Sequence, residues 1–182
     1  AAKKLAGTHT AFVALAIAAL YKPFLFYDTA ISKEWLAVLL VEALLFFLTL
    51  RKPTAWIGAG IVLGLGVLVR ANLLLFGAIL VAGLLVRKEF RSAILVAAGT
   101  ALMIAPVTIH NAVVAKDFVL TTYQLGPNLY IGNHEKNETG RYEPPPFLTT
   151  AAPGFEEKDF RAEAERSRGR ALLPSEISSY YL

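Results

Sequence analysis

Five apolar runs, at about Leu5 to Phe26, Trp35 to Leu50, Ala55 to Val69, Leu73 to Val86 and Ala93 to Val114, follow one another with only short polar breaks between them. At about 1.5 Å per residue in a helix they span roughly 20 to 30 Å, so each is a candidate to cross a hydrocarbon core of about 30 Å, the shorter ones with local thinning. Ala55 to Val86 as one helix would reach about 48 Å, too long for a single crossing without extreme tilt. A hairpin turning at Arg70-Ala71-Asn72 fits better. The charges give the same answer independently: Lys3 and Lys4, Arg51 and Lys52, and Arg87, Lys88 and Arg91 share one side only if two crossings separate the second cluster from the third. That side is the cytoplasmic one by the bias of basic residues toward inner loops.

Composition agrees, with 55% hydrophobic and 18% charged residues in a chain of 182. The formal charge of +4 does not point to nucleic acid, because the basic residues sit at the ends of apolar segments instead of forming one patch. The absence of cysteine removes disulfides and thiolate metal sites. Ala-Ala-Lys-Lys at the start is followed by an apolar run with no small-residue cleavage site, so it does not read as a signal peptide, and the chain is expected to be an internal fragment of a longer protein.

The expected fold is therefore mainly α: a polytopic transmembrane bundle over residues 1–114 with a cytoplasmic N-terminus, and a small mixed extracytoplasmic tail over 115–182, truncated at its C-terminus. Gly58, Gly60, Gly64 and Gly66 put small residues at helical spacing on the third segment and predict close helix packing. In the tail, Phe118 to Tyr123 and Leu129 to Ile131 are rich in β-branched and aromatic residues and predict two short strands joined at Gly126-Pro127-Asn128. Asn137 to Pro146 reads as irregular or polyproline-like. Glu156 to Leu172, acidic early and basic late, predicts a solvated helix, and Ser175 with Glu176 predicts the N-cap of another.

Almost all chemically capable side chains then collect on the outer face. Arg70, where two apolar helices meet, is placed either to hold a phosphate bidentately or to snorkel to ordinary headgroups. Asp28, Lys33 and Glu34 lie before the second segment, where a carboxylate can act as base or sugar ligand and Lys33 can hold phosphate; the plainer reading is a capped helix start. Glu42 sits about 12 Å from either end of its segment, where a carboxylate must be protonated, paired or part of a proton relay, and it should face the bundle. His110, Asn111, Tyr123, Asn128, Tyr130, Asn133 and His134 follow the fifth segment; rings beside amides suit carbohydrate, and interfacial tyrosines are also common for their own sake. His110 and His134 lack carboxylates at metal-ligand spacing, so no metal site is expected there. Asn137-Glu138-Thr139 matches the N-glycosylation acceptor pattern.

The order of Pro23-Phe24-Leu25-Phe26-Tyr27-Asp28, Ser32-Lys33-Glu34, Leu68-Val69-Arg70-Ala71-Asn72, Ala105-Pro106 with His110-Asn111, Lys116-Asp117-Phe118-Val119-Leu120 and Gly126-Pro127-Asn128-Leu129-Tyr130-Ile131-Gly132-Asn133 resembles the bacterial protein O-mannosyltransferase and aminoarabinose-transferase-like glycosyltransferases. The resemblance covers most of the chain; the last of these motifs, followed by Gly140 and Tyr142, is the best part of it. It implies a GT-C fold in the bacterial inner membrane and transfer of a sugar from a polyprenyl-phosphate donor to a glycan, lipid or protein acceptor on the extracytoplasmic side. It further implies Arg70 and Lys33 on the donor phosphate, Glu34 as a candidate catalytic residue lining the donor cavity, and Asp28, Asn72, Tyr123, Asn128 and Asn133 around that cavity. The family's catalytic base lies in the first outer loop, which this chain is expected to lack, so the fragment alone is expected to be inactive. No cofactor is expected, and dependence on a divalent metal stays open. A multi-pass transporter or flippase, and a noncatalytic membrane subunit, are the competing classes.

Overall fold

A computed structural model describes residues 2–23, 26, 33–50, 52–149 and 153–182. Among them are eight helices and no strand: α1 (Ala2–Leu20), α2 (Lys33–Leu50), α3 (Pro53–Val69), α4 (Leu73–Val86), α5 (Phe90–Val114), α6 (Leu125–Asn133), α7 (Pro153–Arg168) and α8 (Pro174–Tyr180). The chain divides within α5 into two compact units, Ala1–Pro106 and Val107–Leu182.

In the first unit the hairpin at Arg70-Ala71-Asn72 is present. Arg70 leaves helical geometry at φ −141° and ψ 100°, its N–H still donating to the Gly66 carbonyl at 2.7 Å, and Leu73 N–H closes the turn onto the Arg70 carbonyl at 3.0 Å. Pro53 opens α3 in its first turn, where a missing N–H costs nothing. α5 is the one helix among the described residues that is long and apolar enough to cross a membrane. α3 and α4 are as apolar but shorter, with 17 and 14 residues. α2 carries Lys33, Glu34 and Glu42, and α1 is broken at Gly7, whose φ of 87° is open to glycine and strained for other residues.

Small residues set the packing of this unit. A Cβ on Gly60 would stand 2.3 Å from the Val96 carbonyl oxygen, one on Gly64 2.8 Å from that of Thr100, and one on Gly99 2.6 Å from that of Ile57, so α3 and α5 touch backbone to backbone. The Thr100 hydroxyl donates within its own turn to Val96 at 2.9 Å and lies 3.1 Å from the Gly60 carbonyl across the contact. Gly58 instead receives the ring of Phe47 from α2. Leu44, Leu63, Val67 and Val96 fill the remaining core, while Leu15, Leu39, Ile79 and Val86 are exposed.

The second unit is helical where strands were predicted. Residues 118–123 are irregular, and Gly126-Pro127-Asn128 forms the first turn of α6 instead of a hairpin bend. Two features override the strand-like composition. Pro127 falls in the first helical turn, where proline is tolerated, and Gly126 lets α6 approach α8 so closely that a Cβ would sit 1.9 Å from the Ser178 carbonyl oxygen. The core joins buried Ile131, Ala164, Leu172 and Ile177 to an aromatic cluster, in which Tyr130, Phe147, Phe160 and Tyr181 meet with ring centroids 4.7 to 6.3 Å apart, spacings at which edge-to-face pairs are favourable. Tyr181 donates its hydroxyl to the Phe160 carbonyl at 2.7 Å.

α7 ends at Arg168, short of Leu172, because Gly169 takes the left-handed conformation at φ 67° that commonly stops a helix. The N-cap of α8 is Leu173, with Pro174 next, and not Ser175. The Ser175 hydroxyl is turned to another use: it donates to Asp117 Oδ1 at 2.5 Å, while Ser175 N–H donates to Asp117 Oδ2 at 2.7 Å.

Candidate functional site

Glu34 stands in the first turn of α2 and Arg70 in the turn between α3 and α4, 36 residues apart in sequence, and the structure joins them in an ion pair. Both side chains are partly open to the surroundings, at 32% and 40% exposure. An ion pair so exposed stabilises by at most about 1 kcal/mol and opens easily when another anion is offered to the guanidinium.

Beside the pair lies a cavity of about 460 Å3 lined by Ala37, Val38, Val41, Glu42, Arg70, Asn72 and Leu73. From α2, residues 34, 37, 38, 41 and 42 recur at the spacing of one helix face, so Glu34 leads a stripe that ends at Glu42. That stripe is the signal in the sequence from which Ala37, Val38 and Val41 follow as lining residues. Glu42 is exposed into this cavity instead of being enclosed by neighbouring helices. The walls are apolar along α2, with one guanidinium, one amide and one carboxylate; a chain with an apolar body and an anionic head matches such a lining.

Of the other residues singled out, Lys33 is exposed at the start of α2, and Asn72 caps α4 without a side-chain hydrogen bond to it, leaving its amide at the cavity. Asp28 lies outside the described residues. Tyr123, Asn128 and Asn133 belong to the second unit. Tyr123 donates to Glu157 at 2.8 Å, and burial first, then that carboxylate, pushes its hydroxyl up to about 12. Asn128 is exposed on α6, and Asn133 donates to the Leu129 carbonyl of its own helix at 2.8 Å.

Tyr130 and His134 serve the aromatic core. Their rings stack at 5.7 Å, and the buried His134 donates through Nε2 to the Glu143 carbonyl at 3.2 Å. Asn111 donates to the Val119 carbonyl at 2.9 Å, pinning the segment after α5. Asn137, the acceptor of the glycosylation pattern, uses its whole amide. Nδ2 donates to the Ile131 and Arg141 carbonyls at 2.9 and 2.8 Å, and Oδ1 accepts from the backbone of Thr139 and Gly140 at 3.1 and 2.8 Å. Asp117 carried no individual weight in the sequence, yet it is one of two buried polar or charged residues among those described and anchors α8. Its partner is 58 residues away, so no local pattern could have found it.

Among the described residues, no three His, Cys, Asp or Glu side chains gather in a group able to hold a metal ion. No family model, curated protein or solved structure matches the chain.

Proposed function

We propose that this chain is part of a membrane glycosyltransferase that takes a sugar from a polyprenyl-phosphate donor and transfers it on the extracytoplasmic face, with Arg70 holding the donor phosphate. One observation carries the reading: an apolar cavity whose guanidinium is held in place by an ion pair that is cheap to open. An isoprenoid chain suits the α2 wall, and a phosphate suits Arg70, which offers two parallel N–H donors. The motif order that resembles the O-mannosyltransferase and aminoarabinose-transferase-like enzymes supplies the reaction class, and charge parity along the five apolar segments supplies the side.

In the proposed step an acceptor hydroxyl loses its proton to a base and its oxygen bonds to the anomeric carbon. The bond from that carbon to the phosphate oxygen breaks, and the lipid phosphate leaves with the electron pair. Arg70 stabilises the charge gathering on the leaving group. Glu34, engaged by Arg70 in the resting structure, fits a positioning role for the guanidinium better than that of base. Lys33, exposed at the start of the same helix, is the second cation proposed for the donor phosphate.

A photoreactive polyprenyl-phosphate sugar, presented to the chain in vesicles, tests the reading. Crosslinking should fall at least tenfold in Arg70→Ala and be largely retained in Arg70→Lys, with helicity unchanged in both. Equal labelling of the parent and Arg70→Ala would remove Arg70 from the donor site. Glu42 in the same cavity favours a second reading, ion-coupled transport; in that case Glu42→Gln abolishes uptake of a solute while donor crosslinking is absent from the parent protein.

A further inference from the structure

α3 begins at Pro53 and α4 ends at Val86, so the hairpin that carries Arg70 at its turn brings the other ends of both helices together. A second cavity, of about 370 Å3, opens there, with Leu48, Trp56, Phe76, Leu80 and Arg87 on its wall together with Glu89. The surface around it is apolar and uncovered: Ile79, Leu85 and Val86 are all exposed.

Cations crowd this end. Lys52 precedes α3, Arg87 and Lys88 follow α4, and Arg91 opens α5; Lys4 joins them, its ammonium 5.9 Å from the ring of Phe46 near the end of α2. Glu89 is the one acidic residue among these positions, and none of Lys52, Arg87, Lys88 and Arg91 forms an ion pair among the described residues. The turn after α4 is a Schellman closure, with Lys88 N–H on the Leu85 carbonyl and Glu89 N–H on that of Leu84, both at 2.9 Å. Its left-handed position is held by Lys88 at φ 60°, where glycine is the usual residue and a side chain costs roughly 1 kcal/mol or more.

We propose that this cleft binds an anionic phospholipid, with an acyl chain along Trp56, Phe76 and Leu80 and the headgroup phosphate on Arg87, supported by Lys88. The cleft continues into an exposed apolar surface, as a lipid chain requires, and the excess of unpaired cations disfavours a headgroup that brings a cation of its own. Basic pockets between helices at the inner face recognise phosphate headgroups on this principle. The inference rests on the membrane reading given above and is independent of the donor site at Arg70.

Trp56 supplies the probe. The chain has two tryptophans, so Trp35→Phe leaves Trp56 as the sole one. This variant is reconstituted in phosphatidylcholine vesicles carrying equal mole fractions of brominated phosphatidylglycerol or brominated phosphatidylcholine, and Trp56 quenching is read. We expect phosphatidylglycerol to associate about fivefold or more tightly, the preference to vanish in Arg87→Ala/Lys88→Ala, and most of it to return in Arg87→Lys/Lys88→Arg. Circular dichroism verifies that the variants keep their helices. Equal quenching by both lipids, or a preference that survives the double alanine variant, overturns the lipid site while leaving the membrane reading intact. Quenching by neither lipid overturns the membrane reading and the lipid site with it.

Discussion

The two units fill their interiors with different mixtures of residues. Up to Pro106 glycines bring helix backbones into contact, alanine and aliphatic side chains fill the rest of the interior, and further large apolar side chains such as Leu39, Ile79 and Val86 are exposed. After it the interior joins a cluster of aromatic rings to Ile131, Ala164, Leu172 and Ile177, and α7 turns glutamates and arginines outward. The first arrangement gains little from driving large side chains out of water and depends on close fit, the usual basis of helix association in lipid. The second is an ordinary hydrophobic core, in which each ring contributes through its own buried area. One chain therefore follows two rules of stability, and substitutions should sort by unit.

The largest effect is expected from Phe160→Ala, which removes a ring that is 2% exposed at the centre of the aromatic cluster. A loss of about 3–5 kcal/mol should leave residues 107–182 open to limited proteolysis while the helices of the first unit stay resistant. Equal loss of protection in both units would break the comparison.

Gly60→Ala comes next. Its methyl group would meet the Val96 carbonyl, and about 1–3 kcal/mol of overpacking should lower the thermal midpoint in detergent. Gly83→Ala, with nothing within 4 Å, should be neutral or add up to about 1 kcal/mol through helix propensity. If the two variants melt alike, close fit is not what holds α3 to α5.

The smallest effect is a pH slope confined to the tail. The bond from Arg170, then the Leu173 N–H, holds the Glu176 carboxyl at about 2, below its ordinary 4.5. A carboxyl depressed in the folded state contributes stability above pH 4.5 that is lost as pH falls from there toward 2. Glu176→Gln should flatten that acid limb in tail unfolding followed by tyrosine fluorescence; an unchanged limb would assign it to other carboxylates.

What the sequence made legible was local. The break at Arg70-Ala71-Asn72 followed from helix length, the packing glycines from their spacing, and the solvated helix of the tail from its charges; in each case neighbours within a few turns carry the information. The helix α6 is not legible locally because Phe118 to Ile131 has the composition of strands, and the deciding contact, Gly126 against Ser178, lies 52 residues away. The site was legible in its parts: Glu34 and Arg70 each stood out for their chemistry. Their pairing, like that of Asp117 with Ser175, depends on a fold that spacing alone does not encode.

Asn137 shows what such a distant requirement means for the life of the chain. Its amide hydrogens are donated to the Ile131 carbonyl in α6 and to the Arg141 carbonyl in the loop, so a glycan on Nδ2 displaces at least one of them. A glycan there is expected to weaken the closed loop, so addition is expected to be easier on a tail not yet closed. Occupancy at Asn137, in any host able to modify it, would record the race between the modifying enzyme and closure of the loop. It would act as a timestamp of maturation, not as an ornament of the mature surface.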